Sequence, residues 1–102
     1  MCGVAGIIGR VSDTNRQAIR RMAKAIAHRG PDDERFFEKA IDAEGNGVLF
    51  AHRRLSILDL SEAGAQPMTD AASGRHTIVY NGEIYNYKEL RQSLISKGYH
   101  FI

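Results

Sequence analysis

One stretch narrows the fold of this chain more than any other: SDTNRQAIRRMAKAIAHRGP, residues 12–31. Ala18, Ile19, Met22, Ala23 and Ile26 recur at helical spacing and make a single apolar face. Arg16, Arg20, Arg21 and Lys24 mostly cover the other face. Ser12, Asp13 or Thr14 can cap the start, and Gly30 followed by Pro31 stops the helix. Immediately before it, residues 3–8 (GVAGII) read as a short, apolar, glycine-bounded strand. A helix with one apolar face next to a buried strand finds its cover by packing on a sheet.

The rest of the chain extends that pattern. After an acidic turn at Asp32, Asp33 and Glu34, strands are expected near residues 35–41 and 47–55, joined by AEGNG. SILDLSEAGAQPM reads as a mixed, loop-like segment, and HTIVY as a compact strand. NYKELRQSLISKG predicts a second helix. Asn86 caps it, with Glu89 completing a capping-box pattern in which Asn replaces Ser or Thr. Leu90, Leu94 and Ile95 are expected to face inward, with Gly98 ending the helix. YHFI reads as the start of a further strand, as in part of something longer. The order β-α-β-β-β-α-β predicts an α/β layer architecture, a mixed or antiparallel sheet with helices packed on it.

Composition removes several function classes. A length of 102 residues suits one small domain. The net charge of +2 is scattered along the chain, too weak to indicate nucleic acid. A single cysteine cannot form an internal disulfide, so no secreted cross-linked scaffold is indicated. No apolar run approaches the ~18 residues of a membrane span, and the apolar start is too short for a signal peptide. A reducing cytoplasm is the expected location. His28, His52, His76 and His100 are evenly spaced but share no wider context and lack close metal-ligand spacing, so neither a repeat nor a metal site is expected.

Three stretches could carry chemistry. The first is MCGVAGIIGR, with the only cysteine in second place. The reactive form of cysteine is the thiolate, which usually needs a base nearby. If Met1 is removed, Cys2 becomes the first residue and its own α-amine, with a pKa near 7.7–8.0, can serve as that base. Read by itself, Cys2 fits a small buried hydrophobe at a strand start better. Gly3, Gly6 and Gly9 do not make a phosphate loop, because the G-K-[ST] ending is missing; close approach of backbone or ligand explains them better. The second stretch is VYNGEIYNYKEL. Local rules make Asn81-Gly82 a hairpin turn. An Asn amide beside a glycine N–H is also a workable oxyanion hole, each donor worth roughly 3–4 kcal/mol of barrier. The third is AHRRLSILDL. On a strand, Arg53 and Arg54 point to opposite faces, so one could meet solvent while the other grips a carboxylate. Read alone they are a pair of surface arginines. Together the three supply a nucleophile, an oxyanion hole and a carboxylate clamp, the equipment for acyl transfer on an amino-acid amide.

With these residues in view, the chain resembles the class II glutamine amidotransferases, and most closely the N-terminal glutaminase domain of glutamine-hydrolysing asparagine synthetases. MCGVAGIIG, HRGPDD, AHRRLSILDLS with GAQPM, and YNGEIYNYKELR carry the resemblance, from Cys2 to Arg91. The opening Met-Cys-Gly is shared with phosphoribosylpyrophosphate amidotransferases and glucosamine-6-phosphate synthases; the other three stretches point to the asparagine synthetase type. The resemblance implies an N-terminal-nucleophile hydrolase fold, an αββα sandwich of antiparallel sheets, of which residues 2–102 are the first portion. It implies that Cys2, after loss of Met1, attacks the side-chain amide of glutamine while its α-amine shuttles the proton. Asn81 and Gly82 would form the oxyanion hole, Arg54 would hold the α-carboxylate, and Glu83 would help bind the α-amino end. A thioester and ammonia result, water releases glutamate, and ammonia travels to a second site.

A family aspartate that binds the glutamine amine, in a Ser-Asp motif after the second helix, is not in this sequence. Nor is the synthetase domain with its Ser-Gly-Gly pyrophosphate motif, so ATP, Mg and aspartate belong to that absent part. No cofactor is expected in this segment. The expected partners are glutamine and a synthetase domain in the parent chain, with self-association of exposed strand edges as another. Two other readings stand beside the glutaminase. One is a truncated, inactive domain acting by binding or assembly, and the other an amidotransferase of the same superfamily with a different acceptor.

Overall fold

The structure is a computed structural model that describes residues 2–56 and 64–101. Its main body is a three-stranded antiparallel sheet with one helix against it. Strand β1 (Gly3–Arg10) leads into helix α1 (Asp13–Ala25), a 3₁₀ turn (Ala27–Arg29), and strands β2 (Asp33–Ala40) and β3 (Asn46–Arg54). The strand order is β1-β3-β2, so β3 is central. It pairs with β1 from Gly3↔Arg53 to Arg10↔Asn46 and with β2 from Asp33↔Arg54 to Ala40↔Gly47.

Side-chain alternation divides the sheet into two faces. Ile19 and Ala23 of α1 pack on Leu49 and Ala51 of β3, and all four are at most 3% exposed. Ala5, Ile7, Val11 and Phe36 surround this cluster. The cationic side of α1 is used as well as solvated: Arg16 donates to Glu38 on β2, and the Arg20 guanidinium lies 5.0 Å from the centre of the Phe36 ring. The opposite face carries Phe37 stacked on Phe50, with ring centres 6.1 Å apart, and leaves Val4 and Ile8 exposed.

The end of the sheet distal to Cys2 is closed by AEGNG. Asp42 Oδ1 accepts from the Glu44 and Asn46 N–H groups, and Gly45 takes φ +85°, a conformation glycine adopts without steric cost. The Gly45 carbonyl accepts from Val11 N–H, so the turn also holds the end of β1. These bonds to the ionised carboxylate, from Asn46 first, hold the Asp42 pKa below the usual range.

The first half of the chain therefore follows expectation, with one change. Ser12 caps α1 by accepting from Asn15 N–H, but the α-helix ends at Ala25, and a 3₁₀ turn carries the chain on to Gly30. The second half differs more. HTIVY contributes only a two-residue strand β5 (Thr77–Ile78), paired with β4 (Met68–Thr69). Helix α2 (Tyr87–Ser96) forms where expected, yet Asn86 makes no side-chain cap, and Leu90, Leu94 and Ile95 are 37–45% exposed rather than inward. None of the α2 residues is buried, so amphipathic spacing is present without a surface for it to cover. Gly98 ends α2 as predicted: at φ +95° its N–H reaches Ile95 O, and the Tyr99 N–H reaches Leu94 O. Residues 99–101 are irregular rather than extended. Part of the loop-like SILDLSEAGAQPM lies outside the described residues. The whole is a small α+β arrangement with antiparallel sheets.

Candidate active site

Cys2 directly precedes β1, and the pairing of β1 with β3 puts it at the end where β3 finishes. The last pair is Gly3↔Arg53, and the next positions along the two strands are Cys2 and Arg54. The Cys2 Sγ accepts from Leu55 N–H at 3.4 Å and lies 3.8 Å from the Leu55 carbonyl oxygen. The thiol is half-buried. Met1 lies outside the described residues, so nothing in the structure bears on its removal.

Arg53 and Arg54 do take opposite faces, but neither is a surface arginine. Arg53 bonds the Gly30 carbonyl through Nε and the Glu34 carboxylate through Nη1. Arg54 is 8% exposed and shares the face of His52, away from α1.

HRGPDD, read from the sequence as a helix stop, an acidic turn and a mark of resemblance, holds this corner in place. Arg29 Nε donates to the Cys2 carbonyl at 3.2 Å. Asp32 donates its N–H to Arg54 O at 2.9 Å, and its Oδ2 accepts from Ser56 N–H at 2.8 Å. A Cβ on Gly30 would stand 2.3 Å from the carbonyl carbon and oxygen of Arg53 and 2.6 Å from Arg54 N. Only a residue without a side chain lets the turn lie that close to the strand. The signal for this was in the sequence, a Gly-Pro after a helix, but it reads there as a stop and not as a contact.

Asn81-Gly82 is not a hairpin turn. The two residues lie between β5 and α2, and neither has a positive φ, which a type I′ turn demands of both central residues. Tyr80 organises the segment instead. Its N–H donates to Gln66 Oε1 at 2.6 Å, and its carbonyl accepts from His52 Nε2 at 3.3 Å. Its hydroxyl donates to the Glu83 carbonyl at 3.3 Å. The ring folds back over Gly82, where a Cβ would meet the Tyr80 hydroxyl at 2.7 Å. Asn81 is half-buried, while Gly82 and Glu83 are exposed. The loop bearing Asn81, Gly82 and Glu83 is thus tied to β3 two residues before Arg54, while Cys2 is tied to the residue just after it.

His52 is the residue that sequence reading passed over. It is 1% exposed, and burial pushes its pKa below the usual 6.5. The Tyr80 carbonyl bond works against that shift, the nearby Arg54 charge adds to it, and Asp33 opposes it. Among the described residues its Nδ1 has no hydrogen-bond partner. The same residues contain no group of three His, Cys, Asp or Glu placed to hold a metal, and no helix long and apolar enough to cross a membrane.

A cysteine at the chain start, a buried arginine beside it and an Asn-Gly loop tied to the same strand define a class, and comparison with known proteins identifies it. The sequence profile of the glutamine amidotransferase domain matches residues 1–102, and the chain belongs to that family. Asparagine synthetase [glutamine-hydrolyzing] 2 of Bacillus subtilis is 47% identical over 98 residues, covering 92% of this chain and 12% of that protein. The putative asparagine synthetase [glutamine-hydrolyzing] 2 of Methanocaldococcus jannaschii is 42% identical over 105 residues, with 90% and 20% covered. An asparagine synthetase [glutamine-hydrolyzing] of Brassica oleracea is 30% identical, with 98% and 16% covered. The chain thus spans a fifth or less of the length of these relatives. No solved structure matches it.

Proposed function

We propose that this chain carries the glutaminase half-reaction of an asparagine synthetase-like amidotransferase. Residues 2–102 form the first part of an N-terminal-nucleophile hydrolase domain, and the synthetase portion lies elsewhere in the parent protein. The observation that carries the reading is the junction of Cys2 with the end of β3, where Sγ sits 3.4 Å from the backbone nitrogen of Leu55, the residue directly after Arg54.

In this mechanism Arg54 binds the glutamine α-carboxylate with its two-pronged guanidinium, and Glu83 receives the α-ammonium. After loss of Met1, the Cys2 α-amine accepts the thiol proton as Sγ attacks the side-chain carbonyl carbon. The carbonyl oxygen becomes an oxyanion, held by the Asn81 amide and the Gly82 N–H. As the intermediate collapses, the C–N bond breaks and the ammonium form of the α-amine returns its proton to the leaving nitrogen. Ammonia departs and a thioester on Cys2 remains. Water, deprotonated by the same amine, adds to the thioester; the C–S bond breaks, glutamate leaves and the thiol is restored. Ammonia then passes to the acceptor site of the synthetase portion, with aspartate as acceptor. ATP and magnesium serve that portion, and none of the residues described above is assigned to them.

The decisive test is glutamate release from glutamine by the full-length protein and its Cys2→Ala variant. Activity in the variant is expected to fall to background. Equal release from both would sink the assignment of Cys2 as nucleophile.

A further inference from the structure

Two groups at the site have no part in that mechanism: the imidazole of His52 and the side-chain amide of Gln66. Both end on the backbone of the same residue, Tyr80, one on its carbonyl and the other on its N–H. His52 is a costly residue to place where it stands. It is 1% exposed and its Nδ1 has no partner among the described residues, so its burial leaves a polar atom unsatisfied. An apolar side chain of the same size would avoid that cost. What the imidazole supplies in return is one donor: facing a carbonyl oxygen, Nε2 must carry the proton, which leaves Nδ1 as the unprotonated nitrogen.

The Tyr80 backbone has little else to hold it. The strand before it, β5, is two residues long, and the helix after it, α2, has no buried residue. The loop is nevertheless internally stiff. The Tyr80 hydroxyl bonds the Glu83 carbonyl and its ring fills the space a side chain at Gly82 would take. Fixing Tyr80 therefore fixes the next three residues as a unit.

We propose that His52, with Gln66 as its counterpart, is a positioning residue for the oxyanion loop. Its Nε2–H grips the Tyr80 carbonyl, Gln66 grips the Tyr80 N–H, and the two set where the Asn81 amide and the Gly82 N–H point. His52 touches neither substrate nor nucleophile in this role; it acts through Asn81 and Gly82. The inference rests on the glutaminase reading above. It also links AHRR and GAQPM, two stretches far apart in the chain, to the NGE stretch whose geometry they would set.

Steady-state glutaminase kinetics of the full-length protein test it. The amide nitrogen of Gln stands the same number of bonds from Cβ as Nε2 of His, whereas that of Asn is one bond short. His52→Gln is therefore expected to keep kcat within about 3-fold of wild type. His52→Asn is expected to lower kcat about 10- to 100-fold, a fraction of the loss seen when an oxyanion donor is removed outright. KM for glutamine should move less than about 3-fold, because Arg54 is untouched. Gln66→Ala releases the N–H side of the same residue from the partly exposed side without emptying the interior, and should lower kcat in the same way. Four outcomes would overturn the inference: Gln as slow as Asn at position 52, kcat unchanged in His52→Asn, kcat unchanged in Gln66→Ala, or a loss confined to KM. A wild-type protein that releases no glutamate overturns the glutaminase reading and this inference together, while the other outcomes strike the inference alone.

Discussion

The two halves of the molecule hold their residues in place by different means. In the first, α1 covers one face of β1-β3-β2, and Ile19, Ala23, Leu49 and Ala51 are sealed between them. In the second, β4 and β5 are two residues each and α2 leaves Leu90, Leu94 and Ile95 in contact with solvent. Cys2 and Arg54 belong to the packed half, whereas Asn81, Gly82 and Glu83 belong to the other. A site divided in this way would take the proposed nucleophile and carboxylate clamp from a sheet, and the proposed oxyanion donors from a loop anchored by a few hydrogen bonds. Precision on the loop side must then come from polar contacts, which are individually worth about 0.5–1.5 kcal/mol and are sensitive to geometry.

Paired truncations would break this comparison most directly. Leu49→Ala, at a position 1% exposed, is expected to cost about 2–5 kcal/mol of unfolding free energy, and Leu94→Ala, at 37% exposed, less than about 1 kcal/mol. Urea denaturation of the 102-residue chain measures both, and equal losses would mean that α2 is buried to the same degree as β3. Next in size is Gly30→Ala, where the new methyl must displace the Arg53 and Arg54 backbone; overpacking of this kind costs about 1–3 kcal/mol. Glutaminase assays of that variant in the full-length protein should show a raised KM for glutamine, since the Arg54 strand end is what moves. An unchanged KM would separate the turn from the clamp.

The smallest effect is a pH dependence. The His52 pKa is lowered on folding, through burial first, with the Arg54 charge adding to it and the Tyr80 carbonyl and Asp33 opposing. As pH falls through about 6.5 the unfolded chain takes up a proton that the folded chain resists, so stability drops below that pH and is unaffected above it. Denaturation midpoints at pH 7.5 and 5.5 should therefore differ less in His52→Gln than in wild type. If the two proteins show the same slope, some other group sets it.

Much of the packed half was legible in the sequence because its signals are local. Spacing at Ile19 and Ala23 gives the packed helix face, although Met22 in the same pattern is 37% exposed, and Gly45 in AEGNG gives the turn. The other half misled for a physical reason. Asn81-Gly82 is a turn by dipeptide statistics, but Gln66 and His52, 14 and 28 residues back from Tyr80, hold that residue and leave no hairpin to close. Periodicity placed Leu90, Leu94 and Ile95 on one face of α2, yet it cannot say whether a partner surface is there. The candidate residues Cys2, Arg54, Asn81, Gly82 and Glu83 were visible as types suited to a chemistry. The contacts that hold these residues or their neighbours, from Arg29, Asp32, His52 and Gln66, were not, because each spans a distance along the chain that no local pattern records.

The closure at AEGNG has a reach beyond its own end of the sheet. Arg53 and Arg54 are neighbours on opposite faces of β3, Arg53 bonded to Glu34 and Gly30 and Arg54 the proposed carboxylate clamp. Which of them does which depends on parity alone, since a strand shifted by a single residue presents its other side. The bonds from Asp42, together with the Gly45 carbonyl on Val11, count out that parity at one edge. The choice between the two guanidiniums is read at the other edge, roughly 26 Å away at about 3.3 Å per residue. A one-residue register shift set at that remote loop would exchange the arginines without substituting any residue near Cys2.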